Sequence, residues 1–267
     1  MTKTVVITGS TRGIGLGLAR AFLSHGCSVV ISGAARQGVD RACADLSSRH
    51  APAHIAGHVC DVSHFEQVQA LWDFALSRFG RVDIWVNNAG QGQSQTVLWE
   101  LDEARMASLV NANVLGALYG CKVAAAGMLK QGAGAIYNME GFGSDGMKLR
   151  GMTLYGTSKR ALAYLTDSLA LEVRGTGLVV GGLRPGMTAT DLITKPYEGK
   201  PDEWKKVERL FNILSDRVET VTPWLVCRML ANTRNGRRFK WFSAAKMMWR
   251  FASSAFVTRR VFDNPPM

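Results

Sequence analysis

Short apolar runs rich in β-branched residues alternate along this chain with longer stretches whose apolar positions recur at helical spacing. The strand-like runs cover residues 4–8, 28–32, 53–59, 82–87, 134–138, 177–183 and 237–242. Between them, helical periodicity covers residues 14–25, 39–50, 64–79, 102–129, 153–174 and 222–232. Alternation of this kind predicts an α/β fold: a doubly wound parallel sheet of the Rossmann type, with about seven strands and helices on both faces. Right-handed crossovers would place a ligand crevice at the carboxyl ends of the strands.

Composition narrows this picture. Residues 1–267 contain no Pro/Ser-rich linker, repeat or low-complexity tract, so one domain is expected. A hydrophobic content of 47% suffices for its core. The first apolar run begins at Thr4, so no signal peptide is expected, and no run approaches the ~18 apolar residues of a spanning helix. The five cysteines are scattered, with no CxxC and no Cys/His cluster. They fit reduced thiols in a cytoplasmic protein without a metal site. The net charge of +11 is uneven: from Val221 onward nine lysines and arginines face a single acid, Asp263. No nucleic-acid reader module is visible, so that partner class is not expected.

Between the first strand and the first helix lies TGSTRGIG, residues 8–15. Gly9 permits a tight turn, while Gly13 and Gly15 let backbone approach a diphosphate at a helix N-terminus. The second strand ends ISGAAR, so Gly33 and Ala34 offer no carboxylate to an unphosphorylated ribose. Arg12 and Arg36 are placed to face a 2′-phosphate, which favours NADP(H) over NAD(H).

Downstream, Tyr155 and Lys159 stand four apart in YGTSK. On a helix they share one face. An ammonium beside a phenol is expected to lower the phenol's pKa. Behind a dinucleotide turn, such a pair points to a carbonyl/alcohol oxidoreductase.

These motifs, in this order, resemble those of the short-chain dehydrogenase/reductase family from residue 4 to about residue 192. The resemblance implies that Gly9, Ser10, Arg12, Gly13, Ile14 and Gly15 form the cofactor turn. Asp61 and Val62 of CDV would sit at the adenine, and Asn88, Ala89 and Gly90 of NNAG at its ribose. Pro185, Gly186, Thr188 and Thr190 of PGMTAT would lie beside the nicotinamide. It further implies Tyr155 as acid/base, Lys159 holding the nicotinamide ribose, and Asn113 anchoring a proton relay. A homodimer or homotetramer is expected, sharing the helices that carry Asn113 and Tyr155.

One departure stands out. Where the family has a serine pair, this chain reads IYNMEGFGSDG, with Glu140 and Gly141 at those positions. Ser144 is the nearby hydroxyl expected to fold toward the substrate carbonyl. The run NMEGFGSDG with YGTSKRAL and LRPGMTATDLI resembles the chlorophyll b reductase branch, which reduces a formyl group on a large apolar macrocycle. That implies an NADPH-dependent reductase of a bulky hydrophobic aldehyde or ketone. A steroid-like or aromatic ketone oxidoreductase and a non-catalytic NADP(H)-binding scaffold stay open as alternatives.

Residues 191–217, with Tyr197, Trp204 and Phe211 among many charges, are expected to form a mobile lid whose aromatics reach the substrate. Residues 243–267 read as a basic amphipathic extension. Three roles are open for it: packing within an oligomer, peripheral membrane contact, or gripping the substrate.

Overall fold

The computed structural model describes residues 2–262. The β-branched runs form β1 (Thr4–Ile7), β2 (Ser28–Gly33), β3 (Ile55–Val59), β4 (Ile84–Asn87), β5 (Gly134–Met139), β6 (Leu178–Arg184) and β7 (Arg237–Lys240). All pair in parallel in the order β3-β2-β1-β4-β5-β6-β7. The order reverses beside β1, between β1 and β4, which creates a crevice at the strands' carboxyl ends.

Alternation of side chains along each strand feeds two cores. Val5, Ile7, Val29 and Ile31 pack with α1 (Gly13–Ser24), α2 (Arg36–Ser47) and α9 (Val218–Leu230). Val6 and Val30 point the other way, toward α3 (Phe65–Phe79), α5 (Gly116–Gln131) and α6 (Thr153–Glu172). The strands are therefore covered on both faces, as a parallel sheet requires.

Helix α4 (Glu103–Val110) runs into α5 through a π turn, Asn111–Leu115. Together they span Glu103–Gln131, a helix long and apolar enough to cross a membrane, contrary to the sequence expectation. Half of its most apolar window is buried, with α5 packed on α3 and on β4 and β5, which makes it a core helix here.

After β6 come α7 (Asp191–Thr194), a 3-10 turn and α8 (Pro201–Leu214). After β7 the chain forms α10 (Ala244–Ser253), which packs on α8. Residues 263–267 of the C-terminal extension, Asp263 included, lie outside the described residues.

Candidate active site

The glycine turn is braced from the neighbouring strand. Gly9 has φ +62°, and a β-carbon there would come within 2.7 Å of the Ala89 α-carbon. The Thr8 hydroxyl accepts the amides of Asn88 and Ala89, each at 3.0 Å. In return, the Asn88 side chain donates to the carbonyls of Thr8 (2.8 Å) and Gly9 (3.0 Å), and it occupies the space a side chain at Gly15 would need. NNAG thus shapes the turn. The N-terminus of α1 opens behind it, with no side-chain cap and no acid in its first turn. Its free amides and dipole suit a diphosphate.

Ser10 is a correction to the expected set of ligand-facing groups. It is fully buried, donating its hydroxyl to Ile7 O (2.7 Å) and accepting the Ser32 amide (2.9 Å). Its own amide donates to Ser32 O at 2.8 Å. It pins the turn to β2 instead of facing a ligand. Ile14 is half-buried against the α1 core. Arg36 is exposed at the start of α2, past Gly33 and Ala34. Arg12 is also exposed, but pairs with Asp191 at 2.9 Å.

Asp61 is half-buried, with Oδ1 accepting the amide (3.0 Å) and hydroxyl (2.7 Å) of Ser63. Val62 is buried in the place that a side chain at Gly116 would fill. Gly90 is exposed, beside Asn113 and Lys159. Past β6, Pro185 is buried and Gly186 backs onto Phe242. Thr190 approaches Gly13, tying this segment to the glycine turn. The Thr188 hydroxyl is enclosed without a partner. A cradle that only glycines fit and an uncapped helix start together suit a dinucleotide phosphate.

Tyr155 and Lys159 lie on the first turns of α6, with the Lys159 ammonium 5.6 Å from the phenol ring centre. Gly141 faces them both: a β-carbon built on it would sit 2.9 Å from the Tyr155 oxygen and 3.5 Å from Cδ and Cε of Lys159. Lys159 is buried and donates to the Met139 carbonyl at 3.0 Å. Burial pushes its pKa down to about 8, opposed by the charge of Glu140. Burial also pushes the phenol up to about 12, opposite to the sequence expectation. Loss of hydration around the phenolate outweighs an ammonium that is itself turned to a backbone carbonyl.

Asn113 sits in the π turn, which carries its side chain out of the ordinary helical register. It accepts the Gln91 amide (2.7 Å) and donates to the Gln91 carbonyl (3.0 Å) and the Ser158 hydroxyl (3.1 Å). Gln91 and Ser158 escaped the motif reading, as did Gln93. Gln93 accepts the Tyr155 amide at 2.8 Å and donates to Gly151 O at 2.7 Å, fastening the start of α6. Such side-chain-to-backbone ties leave no spacing signature in a sequence.

Glu140 explains half of the departure from a serine pair. It is buried and held by Arg184 Nε and Arg238 Nε, and Arg238 reaches on to Asp167 of α6 (2.7 Å). The acid therefore ties the end of β5 to the end of β6 and to the start of β7. Ser144 corrects the other half. Its hydroxyl is enclosed without a partner, and its carbonyl accepts from Arg160 at 3.0 Å, so it is not open to a substrate in the crevice.

The lid aromatics also depart from expectation. Trp204 is buried against Tyr197, Phe211 and Phe262, with ring centres 5.6, 5.9 and 5.2 Å away. They form the local core of α8. In the extension, Arg250 is buried and grips both oxygens of Asp216, joined there by Arg259 (3.0 Å), Lys246 (3.3 Å) and the Trp241 indole (2.6 Å). Burial alone would raise the Asp216 pKa, but these donors and cations bring it below its ordinary value.

Comparison with known proteins agrees with this geometry. The short chain dehydrogenase family model matches residues 3–200. The chlorophyll(ide) b reductase NOL of Oryza sativa subsp. japonica is 36% identical over 236 residues, which cover 86% of this chain and 67% of that protein. NYC1 of Arabidopsis thaliana, described as a probable chlorophyll(ide) b reductase, is 30% identical over 98% of this chain; the chain spans only 55% of its length. Among solved structures, ElxO with NADP bound superposes with a TM-score of 0.79 at 28% identity, covering 90% of this chain and 97% of ElxO. The glycine cradle, the Tyr155–Lys159 pair behind it and these matches lead to one conclusion: the chain belongs to the short-chain dehydrogenase family.

Proposed function

We propose that this protein is an NADP(H)-dependent reductase of an aldehyde or ketone on a bulky hydrophobic molecule, with a chlorophyll b-like formyl group as the leading substrate. The observation that carries it is the Tyr155 oxygen resting on Gly141 beside the buried Lys159, next to a glycine cradle fit for a dinucleotide. Likeness to relatives named as chlorophyll(ide) b reductases supports the substrate class. The uncharged end of β2 and the exposed Arg36 support the phosphorylated cofactor.

When bound, NADPH supplies the hydride that reduces the carbonyl carbon. The residues around it do the rest. A phenol held at about 12 keeps its proton at neutral pH and donates it to the carbonyl oxygen as the oxygen gains charge. Lys159 brings a positive charge that steadies the phenolate left behind and offers donors to the ribose hydroxyls. Asn113, fixed by Gln91 and Ser158, holds the π turn against the start of α6. Gly141 leaves the wall over the phenol free of a side chain, which suits a flat, bulky substrate. In this reading residues 191–217 cover the crevice as a lid, with Leu192 against Gly92 at its near end. The exposed Leu118 of α5 and Tyr164 and Leu171 of α6 support self-association through those helices. Five unpaired thiols among the described residues support a reducing, cytoplasm-like compartment.

The test is NADPH consumption against a panel of formyl- and keto-bearing hydrophobes, chlorophyllide b included, with Tyr155→Phe as control. Turnover of bulky formyl substrates that the variant loses is the expected result. NADPH binding without turnover on any carbonyl would overturn the reading.

A further inference from the structure

Helix α10 is built inside out. Its cations face inward: Arg250 is buried and Lys246 half-buried, both on Asp216. Arg250 also donates to the carbonyls of Leu214 (3.1 Å) and Ser215 (3.3 Å) at the end of α8, where a helix dipole favours positive charge. Every exposed residue from 244 to 257 is apolar. Met247, Met248, Trp249, Phe251, Phe256 and Val257 lead this face, with Trp249 72% and Phe256 90% exposed. Scattered exposed apolar residues are ordinary, but a contiguous run of aromatics and methionines marks a surface that meets something.

The charges beneath this face identify what it meets. Three cations (Lys246, Arg250 and Arg259) surround the one carboxylate of Asp216, which leaves positive charge in excess directly under the apolar surface. Residues 228–262 contain nine lysines and arginines and no acid. A second copy docking through the same face would bring like clusters together. It would also leave the apolar sides of α5 and α6 unused. An anionic lipid surface supplies both an apolar boundary for the side chains and negative charge for the cluster. An exposed tryptophan directly after two methionines suits the headgroup level, where aromatic rings concentrate.

We propose that α10 docks this protein on an anionic lipid surface, with Met248, Trp249 and Phe256 entering the boundary between headgroups and acyl chains. The folded body already holds the helix in place through Asp216, so binding does not have to fold it.

The test uses the full chain and measures vesicle binding without turnover, so it is independent of the reductase reading. Phosphatidylcholine vesicles with phosphatidylglycerol added are compared with phosphatidylcholine alone by flotation. Preference for the anionic vesicles by about tenfold, weakened by salt, is the expected result. The triple variant Met248→Ser, Trp249→Ser, Phe256→Ser changes only exposed side chains. It should keep the wild-type thermal midpoint and solution mass while losing vesicle binding. Wild-type protein that ignores anionic vesicles, or a variant that binds them equally well, would overturn the proposal. So would a variant whose solution mass by light scattering falls to a fraction of the wild type's, since the face would then belong to a second copy.

Discussion

The phenol oxygen of Tyr155 lies against the backbone of Gly141, so close that a β-carbon on the glycine would stand 2.9 Å from it. The position where the family resemblance leads one to expect a hydroxyl thus lies directly against the phenol. Restoring the hydroxyl with Gly141→Ser should lower activity, because the new side chain presses the Tyr155 oxygen from its seat, while Lys159 at 3.5 Å stays in ordinary contact. A displacement of about 1 Å costs on the order of a hundredfold in kcat. Ser144→Ala should leave kcat within about twofold and be neutral or slightly stabilising, since it removes an enclosed, unpaired hydroxyl. Steady-state kinetics of the two variants check both statements. A Gly141→Ser protein faster than wild type would show that the missing hydroxyl is a true gap.

Cofactor choice rests on the missing acid at the end of β2. Ala34→Asp places a carboxylate where a 2′-phosphate would lie, and should raise KM for NADPH at least about tenfold while improving NADH. Arg36→Ala should weaken NADPH and leave NADH unchanged. Parallel titrations with both coenzymes measure the split. Equal effects on the two would remove Arg36 from the phosphate site.

Lys159 makes stability depend on pH in a definite direction. Burial lowers its pKa in the folded protein to about 8, from 10.5 ordinarily. Between those values the unfolded chain binds more protons than the folded one, so this lysine makes stability rise with pH. Its cost is full below about 8 and amounts to roughly 3 kcal/mol at most. Lys159→Met should flatten that rise. Denaturant melts of both proteins from about pH 7.5 to 9 stay below the window in which Tyr155, raised to about 12, has the opposite effect. Parallel slopes for the two proteins would show that the ammonium is not desolvated.

Asp216 is the anchor of the C-terminal helix. Asp216→Asn leaves Arg250 buried beside a neutral group, and breaking such a buried pair costs about 3 kcal/mol, or roughly 10 °C in Tm. Limited proteolysis should then cut first between 240 and 262, where wild type resists. An unchanged Tm would mean that the carboxylate adds nothing to the docking of α10.

Much of the fold could be read from the chain. Runs such as TVVI and SVVISG could pack only as strands covered on both faces, and the structure has them there. The π turn at Asn113 was invisible because apolar periodicity continues through it; one wider turn shifts register without changing composition. Glu140 read as a loss because spacing shows a missing serine but not the two arginines, from β6 and β7, that converge on the acid. The extension shows the same limit. Periodicity identified an amphipathic helix, and the general rule turns cations toward water. Asp216, 34 positions from Arg250, reverses that rule through a contact no local window contains.

Asp216 has a second set of ties. Its amide donates to Met187 O (3.0 Å), its carbonyl accepts the Ala189 amide (2.9 Å), and it bridges Thr188. The loop after β6 and the helix at the chain's end are thus fastened to one residue. Any influence that a grip on α10 has on the crevice is returned by the crevice on α10 in the same factor, as reciprocity of binding free energies demands.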